Sequence, residues 1–249
     1  MGTVEIRDSS HKAGKGEKRV NREERFRHEL KYRIGYAQYM ELRNRLRTIM
    51  QSDVHAGVDG RYLIRSIYFD NYMDKALREK ADGVSRREKF RIRYYNDDFS
   101  YLTLEKKIKD NALCMKIDAQ LTEKECRELL EGRTDWMREH PSPLVRELYA
   151  KMHYQMLCPR VLVSYIREPY IYQAGNVRVT FDSDIRTTLY HRNFLEDRVA
   201  DIDTAAEPRD MILEVKYDAF LPEIIRSLIQ INTLRQTAFS KYEACRRFG

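Results

Sequence analysis

The chain is 249 residues long, 42% hydrophobic and 34% charged, which suits one large domain with a sizeable core and a heavily charged surface. Its net charge of +7 points to an anionic partner without choosing among nucleic acid, a phosphate ligand and an anionic membrane. There is no run of eighteen apolar residues, no apolar core of a secretion signal, and no zinc-type or disulfide-type spacing among the cysteines and histidines; this argues against a membrane span, a secreted disulfide scaffold and a zinc enzyme, and leaves the cytoplasm as the expected compartment.

Residues 1–22 are polar, Lys/Gly-rich and aperiodic, which predicts a disordered tail before a single domain over 23–249. The AGKGEK in that tail lacks the spacing of a phosphate loop. Residues 25–33 read as a strand, and Tyr36, Tyr39, Met40, Leu46, Ile49 and Met50 then recur at near-helical spacing. Residues 62–70 read as a strand, followed by a short helical stretch from Met73 to about Gly83. Strands over 87–95 and 99–109 are joined by the turn cluster Asn96-Asp97-Asp98, and 113–119 continues as a strand. Thr122 and Glu125 make a capping box for a helix ending at Gly132, and Ser142-Pro143 opens another that runs to about Met156. Strands return at 160–167, 176–182, 187–194 and 211–217, with helices over 222–231 and 240–248. Strands punctuated by helices, with hairpins rather than βαβ units, indicate an α+β fold.

In a strand, residues i, i+2 and i+4 share a face. Lys89, Arg91 and Arg93 therefore oppose Phe90, Ile92 and Tyr94, and Glu105, Lys107 and Lys109 oppose Leu104 and Ile108. The same alternation sets Arg27, Glu29 and Lys31 against Leu30 and Tyr32, Glu214 and Lys216 against Val215, Tyr165 and Arg167 against Ile166, and Arg178 and Asp182 against Val179 and Phe181. One such strand is ordinary for a sheet with a wet face. Six strands that repeatedly combine Arg or Lys with Glu, Asp, Tyr or Thr suggest a sheet closed around its charges, with helices on the apolar outside. Such an interior needs counter-anions and water. A polyphosphate anion would satisfy it, gripped by Arg forks and Lys point charges, with carboxylates free to hold an accompanying divalent cation. Tyr68 and Tyr94 read as packing residues, Lys109, Lys116 and Lys216 as either solvated or functional, and Trp136 has no assigned role.

RHELKY, RSIYFDN, KFRIRYY, LEKKIKDN, SYIREPY, RVTFD, ILEVKY and FSKYEAC, in this order, resemble the catalytic domain of VTC-type polyphosphate polymerases, within the triphosphate tunnel metalloenzymes (CYTH-like). The resemblance covers about Phe26 to the end of the sequence. It implies a closed antiparallel eight-stranded β-tunnel with helices packed outside, a manganese or magnesium ion, and transfer of the ATP γ-phosphate to inorganic polyphosphate. It also implies that Lys31, Arg91, Arg93, Lys107, Arg167 and Arg178 hold phosphates, assisted by Tyr165 and the Ser240-Lys241 pair. Glu214 would bind the metal, with Glu29 and Glu105 as further candidates. The catalytic set is Lys31, Arg91, Arg93, Lys107, Arg167 and Glu214.

One departure separates this chain from the wider superfamily. Arg27-x-Glu29-x-Lys31 stands where E-x-E-x-K is the pattern, which favours the VTC-like branch over a triphosphatase or cyclase. In-line attack by a terminal phosphate oxygen needs positioning and charge neutralisation rather than a protein nucleophile. Two alternatives stay open: a metal-dependent triphosphatase, and a non-catalytic module binding polyphosphate or RNA. No nucleic-acid-binding signature occurs, so ATP and polyphosphate are the expected partners, and a membrane partner is not encoded here.

Overall fold

Turn chemistry sets the path of the strands. Asn96 and Asp97 both take left-handed backbone, with φ of 50° and 55°, which matches the twist of a tight hairpin between β4 (Arg86–Tyr95) and β5 (Asp98–Asp110). Asn111, with φ of 52°, turns β5 into β6 (Leu113–Leu121) in the same way. The computed structural model describes residues 26–188, 194–196, 202–203, 211–231 and 234–247; the tail expected over 1–22 lies outside them. The other elements are β1 (Arg27–Ile34), α1 (Tyr36–Arg47), β2 (Gln51–Ser52), β3 (Tyr62–Asp70), α2 (Lys75–Ala81), α3 (Glu123–Leu130), α4 (Pro143–Tyr154), β7 (Cys158–Tyr172), β8 (Val177–Thr188), β9 (Ile202–Asp203), β10 (Met211–Tyr217), α5 (Glu223–Ile229) and α6 (Lys241–Arg246).

Eight strands close into an antiparallel ring in the order β7-β3-β4-β5-β6-β1-β10-β8, with β8 pairing back onto β7; β2 and β9 are two-residue additions at β7 and β8. The alternation read from the sequence decides the two faces. Outward side chains of β3 to β7, among them Phe90, Ile92, Leu102 and Leu104, pack on α3 and α4. Those of β7, β8 and β10, including Val179, Phe181, Leu213 and Val215, pack on α1 and α5. Each fully buried side chain of this kind contributes about 1.5–3 kcal/mol. α3 carries the expected capping box, Glu125 N–H donating to Thr122 Oγ1. At α4, Pro143 occupies the first turn, but the Ser142 side chain makes no capping bond.

Two features depart from the expected elements. The strands expected over 176–182 and 187–194 form one strand, β8, as far as Thr188. Asp184 adopts φ of 51° and the register with β7 shifts between Ser164 and Ile166, so a bulge absorbs the break and pairing continues. Phe194 packs its ring on Tyr94 instead of extending that strand. Second, α6 lies on the inner side of the ring. Its Tyr242 and Cys245 are buried among Tyr68, Val161, Val163, Ile185 and Ile212, so part of the interior is an apolar core.

The ring has one narrow seam. β6 pairs with β1 only at Arg27 and His28. Beyond that point the same edge of β1 is taken up by the segment leading to α6: Tyr32 bridges Gln236, and Thr237 N–H donates to the Lys31 carbonyl at 2.8 Å. This strap brings residues 236–242 to the charged part of the interior. No helix among the described residues is long and apolar enough to cross a membrane.

Candidate functional site

Inward positions of β1, β3, β4, β5, β7 and β10, together with the strap, surround a cavity of about 410 Å³. Eleven of its lining side chains are Lys or Arg, against two carboxylates, Glu29 and Glu214. Further carboxylates stand just behind this surface and fix the cations in place.

On β4, Arg91 Nε donates to Glu105 Oε2 at 2.6 Å and Nη1 donates to the Tyr68 hydroxyl at 2.8 Å. Arg93, two residues further along the strand, makes its hydrogen bonds to neutral groups, Nε donating to Ser66 Oγ at 3.1 Å and Nη2 to the Tyr165 hydroxyl at 3.0 Å, while its Nη1 stands 3.9 Å from Glu105. On β1 and β5, Lys31 and Lys107 clamp Glu29 at 3.0 and 2.6 Å, and Lys31 also donates to the Phe239 carbonyl of the strap. On β10, Lys216 pairs with Glu214 at 2.7 Å, and Arg167 approaches that carboxylate at 3.7 Å. Asp182, fully buried on β8, receives both arms of the Arg167 fork at 2.6 and 2.7 Å and the Lys241 ammonium at 2.5 Å. It ties the β7 wall to α6.

The electrostatics follow from this pairing. Burial raises the pKa of a carboxyl, but cations outweigh it here. The Glu29 carboxyl, opposed by burial and the nearby Glu214, is carried far below the usual carboxylate range by Lys107, Lys31 and Lys216. Glu214 goes the same way against its burial, through Lys216, Lys31 and Arg167. Glu105 is lowered by Arg91 and Arg93 despite burial, and Asp182 by Arg167 and Lys241. The Tyr68 phenol, which burial alone would raise, is pulled down by Arg91 and Arg93. Three lysines move the other way, Lys109 among them through burial and the nearby Arg87. Burial, reinforced by Arg87 and Lys107, pushes Lys89 down to about 7. Burial brings Lys216 to about 8 even with Glu214 beside it.

The structure thus brings Lys31, Arg91, Arg93, Lys107, Tyr165, Arg167, Lys241, Glu29 and Glu214 to one cavity. Arg178 is not among its lining residues. Its Nη2 donates to Asp53 Oδ2 at 2.6 Å and to the Tyr62 hydroxyl at 2.7 Å, because the loop after β2 carries an acid across to that part of β8. Ser240 lines the cavity, and its Oγ also accepts from Glu243 N–H as the cap of α6. Glu105 is set back behind Arg91, with Lys116 at 3.3 Å, and does not line the cavity. Sequence reasoning took Tyr68 for a packing residue; its ring does pack on Tyr242, yet its hydroxyl reaches the cavity arginines. The alternation places Asp182 and Lys89 on the polar faces of their strands, but nothing in the sequence marks either as part of the site.

Among the described residues, no three His, Cys, Asp or Glu side chains converge on a point as a complete protein cage for a metal. The available donors are the oxygens of Glu29 and Glu214, two cavity carboxylates close enough to raise each other's charging cost. One or two carboxylates completed by phosphate oxygens and water suit magnesium or manganese better than a soft metal. The donor set fits a cation that arrives with a phosphate ligand.

The sequence profile of the VTC domain family matches residues 26–248. No protein of curated function matches the chain. Among solved structures, a Bacillus halodurans protein assigned provisionally as an adenylate cyclase is 16% identical, over 78% of this chain and 81% of its own, at a TM-score of 0.48. A Hippeastrum protein, also provisionally an adenylyl cyclase and described as having a dominant triphosphatase activity, is 13% identical over 82% and 84%, at 0.49. A Pyrococcus horikoshii protein is 13% identical over 86% and 96%, at 0.43. At TM-scores this low, the likeness licenses no statement about activity.

Proposed function

The chain belongs to the VTC domain family, and on that premise we propose that it is a metal-dependent phosphotransferase, moving the γ-phosphate of ATP onto inorganic polyphosphate inside the cationic cavity. The observation that carries this reading is the set of pre-positioned cations: Arg91, Lys31, Lys107 and Arg167 are each fixed by a buried carboxylate, and Arg93 by two hydroxyls. Donors held in place before the ligand arrives need little reorganisation when charge spreads over a transferring phosphoryl group.

In this reading Arg91 and Arg93 grip non-bridging oxygens of the triphosphate, while Lys31, Lys107 and Arg167 neutralise its charge. A terminal oxygen of the chain attacks the γ-phosphorus in line; the bond to the β-phosphate oxygen breaks, and ADP departs with that electron pair. No protein nucleophile is needed for this step. A magnesium or manganese ion held by Glu214 and Glu29 would supply further neutralisation of phosphate charge. Arg27 turns to Asp218 at 2.7 Å, so the first position of the strand motif brings no carboxylate to the cavity; this supports the polymerase branch over the triphosphatase. Four cysteines kept as free thiols suit a reducing cytoplasm.

The test is to incubate the purified protein with ATP and Mn²⁺ and to separate polyphosphate, ADP and free phosphate. ADP and polyphosphate should rise in step. Free phosphate accounting for nearly all the ADP would make the protein a hydrolase, and no ADP at all would make it a binding module.

A further inference from the structure

Apart from Arg93 and Lys80, whose nearest carboxylates stand at 3.9 and 3.6 Å, the cations of the cavity fall into two groups. In the first, Lys31, Arg91, Lys107, Arg167, Lys216 and Lys241 each have a carboxylate oxygen within 3.0 Å. In the second, Arg87, Lys89 and Lys109 sit side by side at the outer ends of β4 and β5, where Arg87 opposes Lys109 and Lys89 opposes Lys107. Among the described residues, none of these three has an ion-pair partner. We infer that Arg87, Lys89 and Lys109 form a second anion subsite, holding the phosphates of a chain longer than a triphosphate. This inference rests on the polyphosphate reading above.

The surroundings of Lys89 give the argument. Its ammonium lies 4.8 Å from the centre of the Tyr242 ring on α6. The charged groups facing it are Arg87 on its own strand, Lys107 on β5, Lys31 on β1 and Asp70 on β3; Lys80 of α2 lines the same cavity but is paired with Glu243. The Asp70 carboxylate is already taken by the Tyr242 hydroxyl and by the N–H groups of Asn71, Ala76 and Leu77. A cation so placed has only water or a bound anion to compensate it. Burial and the neighbouring cations accordingly hold Lys89 at about 7, so Lys89 takes up a proton from solvent as a phosphate binds beside it.

Length points the same way. From Arg93 to Arg87 is six residues of strand, about 20 Å at the usual rise. A triphosphate gripped by Arg91 and Arg93 cannot also reach Arg87; a longer chain can.

The experiment measures metal-free binding of tripolyphosphate and of a long-chain polyphosphate by calorimetry. It compares wild type with Lys89→Gln, Arg87→Gln and Lys109→Gln. Arg87→Gln and Lys109→Gln should each weaken long-chain binding about tenfold or more and leave tripolyphosphate unchanged within about twofold, whereas Lys89→Gln, opposite Lys107, should weaken both but long-chain binding several-fold more. Long-chain affinity of the wild type should fall about tenfold more than tripolyphosphate affinity between pH 6 and 8, and Lys89→Gln should abolish that excess. Because each variant removes an uncompensated cation, its thermal midpoint should hold or rise, so loss of fold is not a competing explanation. Equal losses for both anions, or no loss for either, overturn the subsite while the polyphosphate reading stands. A wild type that binds neither anion overturns both.

Discussion

Arg91 and Arg93 stand two residues apart on one strand, yet their removal takes different things from the protein. Arg93 is bonded to hydroxyls, so Arg93→Ala deletes a buried cation and a phosphate contact without stranding a charge. Triphosphate binding should weaken by about 1.5–3 kcal/mol with little change in urea midpoint. Arg91→Ala should match that loss and also destabilise the fold by about 3 kcal/mol, since Glu105 would lose its closest partner and keep only the half-exposed Lys116 at 3.3 Å and Arg93 at 3.9 Å. Arg178→Ala serves as the contrast: its partners Asp53 and Tyr62 lie away from the cavity, so calorimetry should register a change within about twofold. A loss there equal to that of Arg93→Ala would mean diffuse attraction rather than a site. Glu214→Gln keeps size and one acceptor but removes the charge. Turnover across a manganese titration, normalised to folded protein, should collapse; wild-type turnover would take Glu214 out of any metal site.

At the scale of elements, the strands were legible because alternation is local: β3 and β10 begin and end where residues 62–70 and 211–217 place them. The same periodicity marked the inward charges, which is why most expected site residues meet. It failed where the answer is tertiary. The direction of Arg178 is set by an acid 125 residues earlier in the chain, and the continuity of β8 by its own bulge at Asp184 and Ile185 opposite Tyr165 of β7. α6 has six residues and only two large buried groups besides Lys241, too little to announce that it lies inside. Tyr242 is its anchor, its ring tilted against Tyr68 and its hydroxyl donating to Asp70. Tyr242→Ala should cost about 3–5 kcal/mol in urea unfolding and weaken triphosphate binding through loss of the Lys241 position. If stability falls while binding by the folded fraction is untouched, α6 is a structural stopper alone.

For the whole molecule, the depressed carboxyls and depressed lysines give stability opposite edges in pH. Glu29, Glu105, Asp182 and Glu214 titrate lower when folded than when unfolded, so their contribution is complete above the ordinary carboxylate range and is lost as pH falls through and below it. Lys89 and Lys216, at about 7 and 8, lose protons in the folded state that the unfolded chain keeps. Unliganded protein should therefore gain thermal stability from pH 7 to 9; a falling midpoint over that window would contradict these assignments. The seam between β1 and β6 has a consequence for how the molecule is made. Lys31 meets Phe239 across 208 positions of sequence, and the strap that fills the edge of β1 is synthesised after every strand of the ring. During translation the other seven strands can be paired while β1 still lacks its neighbour on that edge, and Asp182 has yet to meet Lys241. Lys241 is thus the last of the cavity cations to arrive, and a chain truncated before Gln236 should be folded enough to resist a protease yet hold a triphosphate less tightly than the full chain.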